Sequence, residues 1–326
     1  MSTEIIVVSG FLGAGKTTLI QKLLNEAFRN EKVVLIENDF GDISVDAALL
    51  KSGGIEVKEI NSGCICCSLS GDFIKALKEL LNCFKPDKIV IEPSGVGKLS
   101  DIIKACSDFR IMPLARVKSK ITIADVKRCK MYLDNFGEFF EDQIRNANVI
   151  LLSRVEEFPD KINAAQEIIR NLNPDAAIFS KPWEQIDADE ILYPNSNASL
   201  HIKNHVSTHI IKRGCHSVHS SKKRKHAHDC CGHNHAAEDV FDTVTIHTNR
   251  IFSIQDLTSR VSRMERDTKG TVLRAKGIVC GVNGYMNMQY VSGDIQVSDC
   301  TSKGNMICII GYNLDKPELS ALFSEE

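Results

Sequence analysis

The stretch "EIIVVSGFLGAGKTTLI" (4–20) constrains the fold more than any other part of the chain. Its opening apolar run reads as a buried strand, "GFLGAGKT" (10–17) fits G-x-x-x-x-G-K-[ST], and a helical pattern follows at once. Strand, glycine-rich turn and helix in register describe a phosphate-binding loop. Gly10, Gly13 and Gly15 let backbone N–H groups, including those of Ala14 and Thr18, turn toward phosphate oxygens. The helix N-terminus then favours the anion. Lys16 is placed to reach β- and γ-phosphates and Thr17 to ligate Mg²⁺. The expectation is a nucleoside triphosphate site.

Beyond the loop, "KVVLIE" (32–37), "KIVIE" (88–92), "KITIAD" (120–125) and "NVILLS" (148–153) are short, β-branched and apolar on both faces, as strands of a covered parallel sheet are. Amphipathic segments separate them; in "LSGDFIKALKELLNCF" (69–84), Phe73, Leu77, Leu80 and Leu81 fall on one stripe. This alternation predicts an α/β domain over 1–194: a P-loop NTPase parallel sheet with helices on both faces. Residues 195–239 lack apolar periodicity and read as a linker. From Phe241 a second pattern begins. "FDTVTIH" reads as a strand, "SIQDLTSRVSRME" as a helix, and "TVLRAKGIVCG" and "GYMNMQYVSG" as strands meeting at an Asn-Gly turn. "NMICIIGY" adds a strand and "KPELSALF" a closing helix, which makes a smaller α+β C-terminal domain over 240–326.

Glu92 ends the strand "KIVIE", where a carboxylate serves a Mg²⁺–phosphate site, and Gly95 permits a loop to approach the γ-phosphate. Lys16, Thr17 and Glu92 are therefore the expected catalytic group, acting by positioning and charge stabilisation. GTPases usually read guanine with Asn-Lys-x-Asp after a strand, and the corresponding residues here are Ser153, Arg154 and Glu156. Glu156 can accept from the guanine N1–H and 2-amino groups, Arg154 can stack on base or sugar, and Ser153 replaces the asparagine amide. Ser180 in "AAIFSKPW" offers a backbone contact to the base.

The loop "NSGCICCSLS" (61–70) places Cys64, Cys66 and Cys67 within four positions. A disulfide between adjacent cysteines is strained, and the flanking Asn, Ser and Gly describe a turn rather than a core. Thiolates select Zn²⁺ and related borderline or soft cations. Three sulfurs from one loop leave a tetrahedral site to take its fourth ligand elsewhere.

Taken in order, "GFLGAGKTTLI", "IENDFGD", "GCICCSL" and "IEPSG" resemble the CobW-type GTPases, relatives of the hydrogenase and urease nickel-insertion GTPases that include zinc-linked metallochaperones. "EDQIRNANVILLS", "NPDAAIFS" and "LRAKGIV" extend the resemblance over nearly the whole chain. It implies a GTP-hydrolysing metal chaperone or insertase. Its metal site would comprise Cys66 and Cys67, with Cys64 nearby, and Glu37 of "IENDFG", which would also serve as a switch loop. The implied cofactors are GTP, Mg²⁺ and Zn²⁺, with Co²⁺, Ni²⁺ and Fe²⁺ binding similar ligand sets. The implied partners are a client metalloprotein and a GTP-dependent second copy. Two departures from the family pattern are Ser153–Arg154 for asparagine–lysine and "VGKLSD" (96–101) where a proline is common.

Within the linker, "GCHSVHSSKKRKHAHDCCGHNH" (214–235) holds Cys215, His216, His219, His226, His228, Cys230, Cys231, His233 and His235. Their irregular spacing fits labile collection of metal ions better than one structural site. Cys83, Cys106, Cys129, Cys280, Cys300 and Cys308 sit mostly in apolar patterns and read as small core residues. The chain of 326 residues has a net charge of −2, so composition supplies no reason for nucleic-acid or membrane binding. The N-terminus reads as no signal peptide, and a cytoplasmic location is expected. Two other functional classes use the same loop: a small-molecule kinase, which has no use for the cysteines, and a metal buffer in which nucleotide is merely regulatory.

Overall fold

Alternate residues of β1 (Thr3–Gly10) enter different cores, Ile5 and Val7 on one side and Ile6 and Val8 on the other. Such a strand is stable only inside a sheet covered on both faces. The computed structural model describes residues 2–37, 56–59, 71–194 and 240–324. After β1 come α1 (Lys16–Glu26), β2 (Val33–Glu37), β3 (Glu56–Glu59), α2 (Gly71–Phe84), β4 (Lys88–Glu92) and α3 (Leu99–Cys106). They are followed by β5 (Ala115–Asp125), α4 (Cys129–Arg145), β6 (Val149–Ser153), α5 (Ile162–Leu172), β7 (Ala177–Phe179) and α6 (Ala188–Leu192).

These strands form one sheet in the order β3-β2-β4-β1-β5-β6-β7, parallel throughout. Leu19, Leu23 and Ile191 from α1 and α6 cover one face. Leu77, Ile102, Phe140 and Ile169 from α2, α3, α4 and α5 cover the other. The chain leaves β1 toward β2 on one side and later places β5 on the other. The carboxyl end of β1 is therefore a topological switch point, where open α/β sheets bind ligands. The glycine-rich turn lies there.

All five strands expected from apolar runs are present, and Phe73, Leu77, Leu80 and Leu81 are buried on α2 as their spacing predicts. β3, β7 and the first half of β5 escape such reading. β7 is a three-residue edge strand of intermediate burial, and Arg116 and Lys118 carry charge out of the early β5. Propensity is weakest at such places.

The C-terminal unit comprises β8 (Asp242–His247), α7 (Ile254–Asp267), β9 (Thr271–Gly281), β10 (Gly284–Val291), β11 (Asp294–Cys300), β12 (Met306–Tyr312) and α8 (Lys316–Ser324). Its five-stranded sheet has the order β11-β10-β9-β12-β8. β9 and β10 form the expected hairpin, but its two-residue loop is Val282–Asn283, with Gly284 already paired to Gly281. β11 lacks an apolar signature, because "DIQVSDC" is a half-exposed polar edge strand. The turn before it has Ser292 at φ 32° and Gly293 at φ 89°, the two left-handed positions of a tight twisted hairpin. Phe241 joins the two units: its ring lies 5.1 Å from that of Phe139 and 5.5 Å from that of Phe136.

Cys106, Cys129 and Cys308 are core residues as expected, and burial pushes the Cys106 and Cys129 thiols up to about 12. Cys83 corrects that expectation: it is exposed on the last turn of α2, off the apolar stripe. Cys280 and Cys300, at the ends of β9 and β11, are half-buried. No helix among the described residues is long and apolar enough to cross a membrane.

Candidate functional site

Three glycines shape the turn after β1. Gly10 (φ 148°), Gly13 (φ 69°) and Gly15 (φ 107°) all occupy left-handed backbone, which a side chain would strain. Lys16, the first residue of α1, is 6% exposed, and its Nζ donates to the Gly10 carbonyl at 3.2 Å. The lysine thus closes back over its own loop. Ala14 is buried beneath the loop, while Thr18 is exposed at its rim. Tyr132 from α4 donates its hydroxyl to Leu12 O at 3.1 Å and fixes the middle of the loop from below.

The carboxylates of the site come from neighbouring strands. Glu92 ends β4, and Thr17 Oγ1 lies 3.5 Å from its Oε1. Glu37 ends β2 in register with Glu92, so the two glutamates stand side by side at the carboxyl edge of the sheet. Gly95 follows β4 so closely that a Cβ there would meet Leu12 N at 2.9 Å. Gln143 donates to Gly95 O at 3.1 Å and Gly97 O at 2.8 Å and holds that loop. The lysine, the hydroxyl and Glu92 therefore meet at one concavity of about 280 Å³. Cys64, Cys66, Cys67, His226, His228, Cys230, Cys231, His233 and His235 lie outside the described residues. Among the described residues no cluster of three metal-binding side chains occurs.

Beside this concavity lies a second of about 720 Å³, bounded by Gly15, Ser153, Arg154, Glu156 and Trp183. Ser153 is buried and Glu156 exposed. Trp183, the chain's single tryptophan, donates to Leu152 O at 2.8 Å and stands 3.1 Å from a Cβ built on Gly15. Ser180 is not among the residues lining this cavity.

Arg154 departs from its expected stacking role. At φ 60° it turns toward carboxylates, with Nε 3.3 Å from Asp125 and Nη1 3.0 Å from Asp294. Arg128, 3% exposed, completes the cluster by bonding Asp125 and Asp294 at 2.5 Å each and the Val291 carbonyl at 2.8 Å. Burial alone would raise the Asp294 carboxyl, but hydrogen bonds from Lys127 and Arg128 outweigh it and hold the group at about 2. A depressed carboxyl pKa stabilises the fold above the unfolded value of about 3.9 and loses that contribution as pH falls through the folded value. The stability difference between the native chain and Asp294→Asn should stay constant from pH 5 to 8 and shrink between about 4 and 2. Urea unfolding across that range measures it.

Sequence reasoning missed the contributions of Trp183, Arg274, Gln289, Val291, Asp294 and Gln296, all of which line one or both cavities. A lone tryptophan shortly after Ser180 was the one available signal. Lys276 on β9 is also buried near Glu37, Lys16 and Cys308, and burial pulls its ammonium down to about 8.

Comparison with known proteins places this chain among relatives. Residues 4–180 match the model of the CobW/HypB/UreG nucleotide-binding domain, and residues 241–325 that of the cobalamin synthesis protein cobW C-terminal domain. The chain is 29% identical over 255 residues to the zinc chaperone YeiR of Escherichia coli, covering 75% of this chain and 78% of that protein. It is 35% identical over 175 residues to the zinc chaperone CobW of a Sinorhizobium species, covering 51% and 49%. It is 25% identical over 224 residues to zinc-regulated GTPase metalloprotein activator 1 of Dictyostelium discoideum, covering 57% and 47%. The match thus spans about half the length of the latter two proteins.

Proposed function

Since the chain belongs to the CobW/HypB/UreG nucleotide-binding family through residues 4–180, we propose that it is a GTP-hydrolysing metallochaperone that delivers a divalent transition metal, Zn²⁺ foremost, to a client metalloprotein. Relatives named zinc chaperones and zinc-regulated metalloprotein activators support this reading. The observation that carries it is the strand-end pair: Glu92 reaches Thr17 at the phosphate loop, and Glu37 is its register neighbour.

In this reading Lys16 and the loop amides hold the β- and γ-phosphates, and Gly95 approaches the γ-phosphate. The Thr17 hydroxyl and Glu92 carboxylate, 3.5 Å apart, are hard oxygen donors that fit Mg²⁺. That ion would neutralise phosphate charge when bound. Glu156 accepts from guanine, beside Ser153. The cargo metal is held by Glu37 with Cys66 and Cys67, Cys64 standing close by in sequence. The cargo ligand Glu37 sits one strand from Glu92, so a rearrangement on loss of the γ-phosphate changes the metal's ligand set. The His- and Cys-rich segment loads the site, and GTP-dependent pairing of two copies presents it to the client.

Metal affinity tests the coupling directly. Zn²⁺ and Co²⁺ binding would be compared with GDP and with a non-hydrolysable GTP analogue, on the full chain and on a form lacking residues 214–235. The expected result is a change of about tenfold or more between nucleotides, near 1.4 kcal/mol of coupling. The thiolate-to-cobalt charge-transfer band should follow nucleotide state. Equal affinities with an unchanged band would defeat the delivery mechanism.

A further inference from the structure

The C-terminal sheet has two unlike faces. Ala275, Val279, Met288 and Tyr290 pack with Leu257 of α7 and Phe323 of α8. One step along the same strands, the opposite face presents Arg274, Gln289, Val291 and, from β11, Asp294 and Gln296 to the phosphate cavity. The register aligns this face: Gln289 lies opposite Gln296 and Val291 opposite Arg274. No gap separates this wall from the loop at the hairpin tip. A Cβ on Gly13 would meet Val291 methyls at 2.6 Å, and Asp294 in the same hairpin bonds Arg128 and Arg154. The C-terminal unit is therefore seated on the nucleotide site itself.

Three cations among the described residues line that cavity: Lys16, Arg154 and Arg274. Lys16 belongs to the loop, and Arg154 is held by Asp125 and Asp294. Arg274 is half-buried on β9 and shares the cavity with Lys16, Thr17 and Glu92. A guanidinium lining the same cavity as Lys16 and Thr17 is of the right chemistry to meet phosphate oxygens in forked geometry.

We propose that Arg274 is a phosphate-contacting catalytic residue supplied in cis by the C-terminal sheet. This rests on the GTPase reading above. Arg274 favours triphosphate over diphosphate and stabilises the charge that develops in hydrolysis. In that step the oxygen of water bonds to the γ-phosphorus as its bond to the β–γ bridging oxygen breaks. The electron pair leaves with the diphosphate, a water proton passes to the released phosphate, and Arg274 remains protonated throughout.

The test compares the native chain with Arg274→Ala, Arg274→Gln, Arg274→Lys and, as reference, Lys16→Ala, all full length. Equilibrium affinities for GDP and for a non-hydrolysable GTP analogue would be measured beside kcat for GTP. Expected for Arg274→Ala and Arg274→Gln is a loss of about tenfold or more for the triphosphate analogue, GDP affinity unchanged within about twofold, and kcat lower by about 100-fold. Arg274→Lys should fall between these and the native chain. The ratio of the two affinities is unaffected by any loss of folded protein, so misfolding cannot imitate the result. Equal weakening of both nucleotides, or native behaviour while Lys16→Ala is impaired, would overturn the role of Arg274 alone. A native chain that binds neither nucleotide would overturn the GTPase reading and this role with it.

Discussion

Lys16→Ala is expected to hydrolyse GTP on the order of 10²–10³ times more slowly than the native chain, while keeping its fold. The lysine opens α1 with its ammonium 3.2 Å from Gly10 O at the centre of the loop. Its charge is already held within the loop, so binding a triphosphate requires only that the ammonium exchange the Gly10 carbonyl for phosphate oxygens. Alanine is the best helix former, and Leu19, Ile20 and Leu23, which anchor α1, are untouched. The thermal midpoint should therefore move little. The same variant separates a gated chaperone from a metal buffer. A buffer would bind as much Zn²⁺ as the native chain under every condition. A gated chaperone would keep its thiolate and imidazole ligands but lose any difference between GDP and GTP analogue. Linkage requires that metal also cease to alter GTP affinity. A turnover rate within about threefold of native, measured under single-turnover conditions, would contradict the assignment of Lys16.

Asp125→Ala carries the largest expected loss of stability, about 3–5 kcal/mol. Its carboxylate is 2% exposed at the end of β5. It accepts from Arg128 at 2.5 Å and from the Lys127 backbone at 2.8 Å, and lies 3.3 Å from Arg154. Removing it strands part of a guanidinium that is itself 3% exposed, and the cost of an uncompensated buried charge exceeds that of a missing contact. Such a loss is a large part of the 5–15 kcal/mol typical of a domain. Asp125→Asn keeps one acceptor oxygen, which serves either the Lys127 amide or the arginines but not both, and should cost less than Asp125→Ala. Asp125 and Asp294 share one guanidinium, so the double variant should depart from additivity. Urea denaturation of the four proteins supplies the cycle, and a single-variant loss under about 1 kcal/mol would show that Asp294 holds Arg128 unaided.

Local pattern carried much of this architecture. The glycine–lysine–threonine spacing, the doubly apolar strands and the stripe of Phe73, Leu77, Leu80 and Leu81 are encoded within a few residues of themselves. Backbone geometry and side-chain period translate them directly into structure. The phosphate loop and the position of Glu92 were legible for the same reason. Arg154 was not: its sequence neighbourhood suggested contact with a base, yet Asp294, 140 residues away, holds its guanidinium. Trp183 over Gly15 depends on packing within the first unit between segments 168 residues apart, and Val291 against Gly13 and Arg274 within the phosphate cavity depend on how the two sheets meet. The C-terminal sheet has one face committed to its own helices, whereas helices cover both faces of the N-terminal sheet. Which residues on the remaining face of the C-terminal sheet meet the nucleotide site is settled only by packing between segments far apart in the chain, and no local period records it.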